Sequence, residues 1–415
     1  MSTETLNATG DTLDKWATNV DGPVALRLAQ KLLPVSESGI VFPPTYADIG
    51  YNVDTLSDGT RVATIDSVGS QANRLEPMFK SDAKDPADWL VPQIEIVIRK
   101  EDCGECEACK KNAETGEVKK GKKEACQRPR PVTQSLLDLA HRAADAVVQS
   151  SPELLKLIAP AFKALQRGDA GPLCTIAPTS LVFGVWNSRG TGEKRPRLVR
   201  SIIRAWHVET LHSAAQFNSV WKLLDEEQRE ELRKEAKATK VELSEKGFKD
   251  APSVFRQKTQ IRHYVNDSPN PEARVLGGVL VKGRIEREVT VNLLALRGLR
   301  GENDAETAAI RKYLLGLSLM AATADIELFL REGCLLRYAE NGDQWLQVPR
   351  RGNPTPVTLS SQTVKKYTEE AAEHFRAKWA AVFKDKWPNL TYEFDLAEAK
   401  KLLAKKTAEE ETGQE

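Results

Sequence analysis

Cys103, Cys106, Cys109 and Cys126 are spaced C-x2-C-x2-C-x16-C in a stretch rich in lysine and glutamate. Three thiols so close together point into one small volume, and thiolates at that spacing are first of all metal ligands. C-x2-C lets two sulfurs reach one ion from a tight turn. Cys109 extends that knuckle and Cys126 returns across a charged loop, which describes a closed structural Zn²⁺ site. An iron–sulfur cluster is the rival, because C-x2-C-x2-C also opens ferredoxin motifs; those continue with a fourth cysteine and a proline that this chain lacks. Unligated or redox-active thiols are the third reading. Lys100–Pro131 has no apolar periodicity, so hydrophobic burial alone would not order it. Cys174 and Cys334 stand alone in apolar surroundings and read as buried structural thiols.

Two other stretches carry a different chemistry. Asp66–Pro77 (DSVGSQANRLEP) reads as a strand end, a turn at Gly69 and a helix start capped by Ser70, presenting Gln71, Asn73 and Arg74. Exposed N–H groups at a helix start favour phosphate, although an ordinary capped junction has the same local pattern. Pro178–Ala205 runs from an apolar strand, Ser180–Trp186, into a Gly-rich loop bearing Arg189, Lys194, Arg195 and Arg197, followed by Arg200 and Arg204. These six cations face a single acid, Glu193, and each cation set on a phosphate releases counterions. Arg197, Arg200 and Arg204 are expected on one face of a helix. Trp186 and Trp206 are expected mainly to pack in the core, with base stacking as the alternative. Gly190–Lys194 lacks G-x4-G-K-[ST], which excludes a P-loop NTPase reading.

The elements that must position these residues mix without strict β-α alternation, so the expected class is α+β. The pattern predicts an amphipathic helix over Gly22–Leu33, strands at Thr60–Ser67 and Gln93–Arg99, helices over Thr133–Gln149 and from Ser151 to Gly168, and a charged helix over Leu223–Lys246. Strands at Val275–Val281 and Glu286–Leu296 are expected to form a tight hairpin around Lys282-Gly283-Arg284. Asn303–Ala322 is the clearest helix; short strands follow at Ile326–Leu330, Cys334–Tyr338 and Gln344–Val348, then a helix over Ser361–Lys384 and a charged tail from Ala404.

The 415 residues are 40% hydrophobic and 29% charged, with a net charge of +1, which is ordinary globular composition and excludes an indiscriminately basic nucleic-acid binder. A local basic groove is compatible with that balance. Six cysteines are too few for a disulfide scaffold. No apolar run spans a membrane and Met1–Asp14 lacks a secretory pattern, so a cytoplasmic location is expected.

DSVGSQANRLEP, then PTSLVFGVWNSRG with its basic continuation, then KYLLGLSLMAATADIELFLREGCLLR (Lys312–Arg337) resemble, in this order, the backbone subunit of type I-G (formerly I-U) CRISPR effector complexes, a RAMP-superfamily protein of Cascade assemblies. The resemblance implies a modified RRM-like, ferredoxin-like palm as one domain over 1–415, with inserted fingers and a thumb. The Cys-rich metal-binding segment 100–131 and the charged helical segment 222–250 read as insertions about which the resemblance says little, and 404–415 reads as a flexible tail. The resemblance implies CRISPR RNA as the ligand, further copies of the chain and other Cascade subunits as partners, and target DNA engaged through the guide. RNA contact carries over to Gln71, Asn73, Arg74, Arg189, Lys194, Arg195, Arg197, Arg200 and Arg204. Lys282, Arg284 and Arg287 follow only from their place in the expected hairpin.

The enzymatic alternative is an RNA-processing endoribonuclease of the same superfamily. It would need histidine as acid and base, and His207 and His212 lie nearest the basic segment. No acidic cluster marks a Mg²⁺ nuclease site. The expectation is therefore a non-catalytic RNA scaffold.

Overall fold

The computed structural model describes residues 5–46, 49–99, 132–213, 220–241, 243, 248 and 275–412. Cys103, Cys106, Cys109 and Cys126 lie outside the described residues. In chain order, α1 (Gly10–Thr18) precedes β1 (Ala25–Pro34), and β2 (Arg61–Asp66) runs into α2 (Val68–Leu75). α3 (Pro152–Gln166) precedes a short ribbon of β3 (Val185–Trp186) and β4 (Lys194–Arg195). β5 (Val199–Trp206) meets β6 (Val208–Ser213) at His207, and β7 (Val275–Val281) meets β8 (Ile285–Asn292) at Lys282–Arg284. α4 (Asp304–Thr323), β9 (Cys334–Val348) and α5 (Ser361–Phe383) complete the frame.

The main sheet runs β9-β1-β8-β5-β2 through its centre, and the four ladders joining these strands are antiparallel. Helices pack on one face of it, so the class is α+β, as expected. Leu26, Leu28, Val199, Val289 and Val291 point to that face and join α1, α4 and α5 in the larger core, where Tyr313 stacks on Phe375 at 4.6 Å. Each such apolar side chain contributes roughly 1.5–3 kcal/mol when fully buried. Farther along the same strands, Leu32, Ile203, Ala205 and Ile285 join Ala63, Ile65, Leu330 and Leu336 in a second core. Between the two cores the strands carry Gln30, Ser201 and Arg287, all buried.

Several local expectations give way to this sheet. Gly22–Leu33 is not a helix. Leu26, Leu28, Gln30 and Leu32 are buried while Arg27 and Lys31 are exposed, a period of two set by pairing to β8 and β9 on either side. Its Ala, Leu, Arg and Lys are good helix formers, and tertiary pairing overrides that weak preference. The segment 133–149 breaks into a strand and short helical turns. Ser180–Trp186 is a helical turn, Thr179–Val182, followed by β3. Lys282-Gly283-Arg284 is not a hairpin turn. β7 pairs with β6 and with Ile40–Val41, while β8 pairs with β5 and β1, so the joint is a corner where two paired strands leave the main sheet together. A Cβ on Gly283 would lie 2.6 Å from Trp206 O, which is why this corner needs glycine. α4 and α5 form where the periodicity placed them; α4 is capped by Asn303, whose side chain accepts from Glu306 N at 2.9 Å.

Candidate nucleic-acid interface

Arg200 and Arg204 lie on β5, a strand, rather than on the expected helix. Val199, Ser201, Ile203 and Ala205 turn inward, which sends Arg200 and Arg204 to the face opposite the helices. Arg200 stands across from Thr290, and Arg204 across from Glu286 on one side and Thr64 on the other. The next strand over brings Lys31 opposite Glu286 and Arg27 opposite Thr290. Arg27, Lys31 and Arg200 are exposed and Arg204 is half-buried. Four cations therefore share the open face of three adjacent strands with Glu286 and Glu288. Arg27 and Lys31 were missed by sequence reasoning because their segment was read as a helix; their alternation with buried leucines was the signal.

The corner at the end of this face holds Arg284 with its guanidinium 4.6 Å from the Trp206 ring centroid and 3.4 Å from Glu286. Lys282 is exposed and paired to Glu209. Both stand at the surface.

Arg287 and Gln71 correct the expectation of RNA contact. Arg287 is fully buried on the inward face of β8. It donates to Gln30 Oε1 at 2.5 Å, to Ser201 Oγ at 3.2 Å and to the carbonyls of Ala321, Ala322 and Ala324 at the end of α4. Burial holds its pKa below the usual arginine range. Gln71 is likewise fully buried: it donates to Asp66 Oδ2 at 2.7 Å and accepts from Ser201 Oγ at 2.7 Å. Ser67, not Ser70, caps α2, its Oγ accepting from Ser70 N at 3.3 Å. Arg74 is tied to Asp66 at 3.2 Å and to Leu330 O at 2.7 Å, leaving it partly exposed, and Asn73 is exposed. Asp66, fully buried, also lies 3.4 Å from Arg331.

The rest of the basic segment folds away from Arg200. The β3–β4 ribbon and Ala140–Ala144 enclose a cleft of about 380 Å³ lined by Arg142, Trp186, Arg189, Lys194, Arg195 and Arg197 among others. Trp186 is 60% exposed, overturning the expected core packing, and Lys194 Nζ lies 5.5 Å from its ring centroid. Arg195 is held by Glu193 at 2.9 Å and by Leu165 O at 2.9 Å, which fastens the ribbon to α3. Gly184, at φ +81°, lets the chain pass where a Cβ would meet Arg197 Cγ at 2.8 Å. Arg142 is buried, sits at φ 54° and pairs with buried Glu76 at 2.5 Å. Its Nε and Nη2 have no aligned acceptor. Burial lowers the Arg142 pKa and pushes Glu76 up to about 7 despite the neighbouring guanidinium.

His207 is exposed at the β5–β6 corner with φ 54°. The side chain of His212 lies outside the described residues. Among the described residues no group of three His, Cys, Asp or Glu side chains is placed to hold a metal ion, and no helix is long and apolar enough to cross a membrane.

No curated protein matches the chain. Residues 26–210, under half of its length, match the family model of CRISPR-associated protein GSU0053. The match runs from β1 into β6, so it contains Arg27, Lys31, the cleft and both basic strand positions of β5, and it supports a CRISPR-associated role for the chain.

Proposed function

We propose that the chain is a non-catalytic, CRISPR-RNA-binding backbone subunit that oligomerises along the guide in a type I effector complex and presents it for pairing with target DNA. The observation carrying this reading is the placement of Arg200 and Arg204 on the open face of the central sheet, with Arg27 and Lys31 across the ladders. Such a face grips a sugar–phosphate chain through charge and leaves base edges unread, which is what a guide-presenting scaffold requires. Glu286 and Glu288 among the cations temper the attraction, consistent with a net charge of only +1. The family match supports the CRISPR context. In this reading Cys103, Cys106, Cys109 and Cys126 hold one structural Zn²⁺, on the strength of their spacing.

Protein purified from cells carrying a CRISPR array is expected to bring down RNA of uniform length, and R200E/R204E is expected to lose it. Cleavage of added guide precursor by the purified chain, abolished by His207→Ala, would replace the scaffold with the endoribonuclease.

A further inference from the structure

We propose that the cleft between the β3–β4 ribbon and Ala140–Ala144 is a separate single-nucleotide site, taking one unstacked base against Trp186 and its phosphate among Arg189, Lys194 and Arg197. The ligand chemistry is a phosphate joined to a planar base, supplied either by one nucleotide of a bound strand or by a free nucleotide. The inference rests on the RNA-binding reading only for the first of these sources.

Three independent features converge on the cleft. Its volume of about 380 Å³ falls in the range of small-ligand sites. Five of the side chains lining it are cationic, and none of the lining residues is acidic. Arg195 is occupied by Glu193, which leaves Arg189, Lys194 and Arg197 exposed for an anion. Trp186 gives the cleft a flat apolar wall with a cation already over its ring, the arrangement that holds single bases without reading their identity.

Arg142 supplies the argument that the cleft is built rather than incidental. Arg142 lines the cleft, its side chain is 4% exposed, and while Nε pairs with Glu76 at 2.5 Å, its Nη2 has no acceptor within the protein. Its backbone is left-handed, a conformation that costs a non-glycine residue about 1–2 kcal/mol. A buried guanidinium nitrogen left without an acceptor is expensive unless something else answers it, and a phosphate in the cleft is such a partner. Gly184 allows the close packing that brings Arg197 to the same space.

The open face and the cleft thus divide the basic segment after Leu198, which is buried. A strand lying along Arg200 and Arg204 is held by its backbone, whereas the cleft holds a nucleotide turned out of register with its neighbours.

The test uses the full-length protein freed of nucleic acid, with AMP, adenosine, inorganic phosphate and a single-stranded RNA oligonucleotide as probes. Binding is followed by tryptophan fluorescence and calorimetry. AMP is expected to quench fluorescence and bind at least tenfold tighter than adenosine or phosphate. Trp186→Ala and R189E/K194E are each expected to weaken AMP at least tenfold, while R200E/R204E weakens the oligonucleotide and spares AMP. If the oligonucleotide alone binds and Trp186→Ala still weakens it tenfold, the nucleotide comes from a strand. AMP binding insensitive to these cleft variants, or oligonucleotide binding untouched by Trp186→Ala with no AMP binding at all, overturns the proposal and leaves the open face as the RNA site. Phosphate binding as tightly as AMP in both wild type and Trp186→Ala reduces the cleft to an anion trap and also overturns it.

Discussion

Arg287 Nη1 lies 2.5 Å from Gln30 Oε1, and both side chains are buried on the helix-covered face of adjacent strands. Their bond is one link in a polar row. Gln30 donates on to Asp343 at 2.8 Å, Arg287 reaches Ser201, Ser201 reaches Gln71, and Gln71 reaches Asp66 at the surface-facing Arg74 and Arg331. The row crosses five strands between the two apolar cores. It also meets the carbonyl end of α4, where a positive charge is favoured.

Arg287→Ala should therefore act on stability. The substitution leaves Gln30, Ser201 and three carbonyls short of a donor, at a cost on the order of 3 kcal/mol. Urea unfolding should show the loss, while RNA retention by the folded fraction stays at the wild-type level. An unchanged midpoint would show that the row carries no such weight.

For the open face, salt dependence is the sharper measurement. A single strand releases counterions with a slope of about 0.7 per phosphate contact. R200E/R204E should lower the slope of log K against log salt by about 1.4 or more. Equal slopes in wild type and variant would place the strand elsewhere.

Glu76 makes stability depend on pH near neutrality. Burial raises its pKa to about 7, opposed by Arg142 and the Thr179 hydroxyl and assisted by Asp138. Unfolded, the carboxyl titrates near 4.3. Between those values the folded state holds a proton that the unfolded state has lost, so stability falls as pH rises across this window and the loss is complete above it. The thermal midpoint of wild type should drop from pH 5.5 to pH 8, and Glu76→Gln should flatten that drop. Parallel curves for the two proteins would remove Glu76 as the cause.

Elemental analysis tests the cysteine motif. Protein purified without chelator should carry one zinc per chain, and Cys126→Ser should lower the content well below one. Iron with visible absorbance would assign a cluster instead, and absence of both metals would dismiss the metal site.

Much of the frame was legible. The periodicity of α4 and α5 and the β2-to-α2 junction follow from local patterns that the tertiary structure keeps. Arg200 and Arg204 share a face in either reading, because a spacing of four residues returns to the same side of a helix and of a strand. Their common placement therefore holds although the element is a strand and not the expected helix. Arg197 did not share that face, since it lies in the link between β4 and β5, before the strand begins, and lines the cleft instead. Gln71 and Arg287 could not be judged locally at all; their partners lie 130 and 257 residues away.

By itself, then, the order of residues determined the chemistry on offer: four closely spaced cysteines, a concentrated run of cations and the α+β mixture that carries them. Only the folded sheet decided which of those cations meet solvent. Pairing between distant strands sets each side chain inward or outward, and that assignment depends on long-range register, which no local window contains.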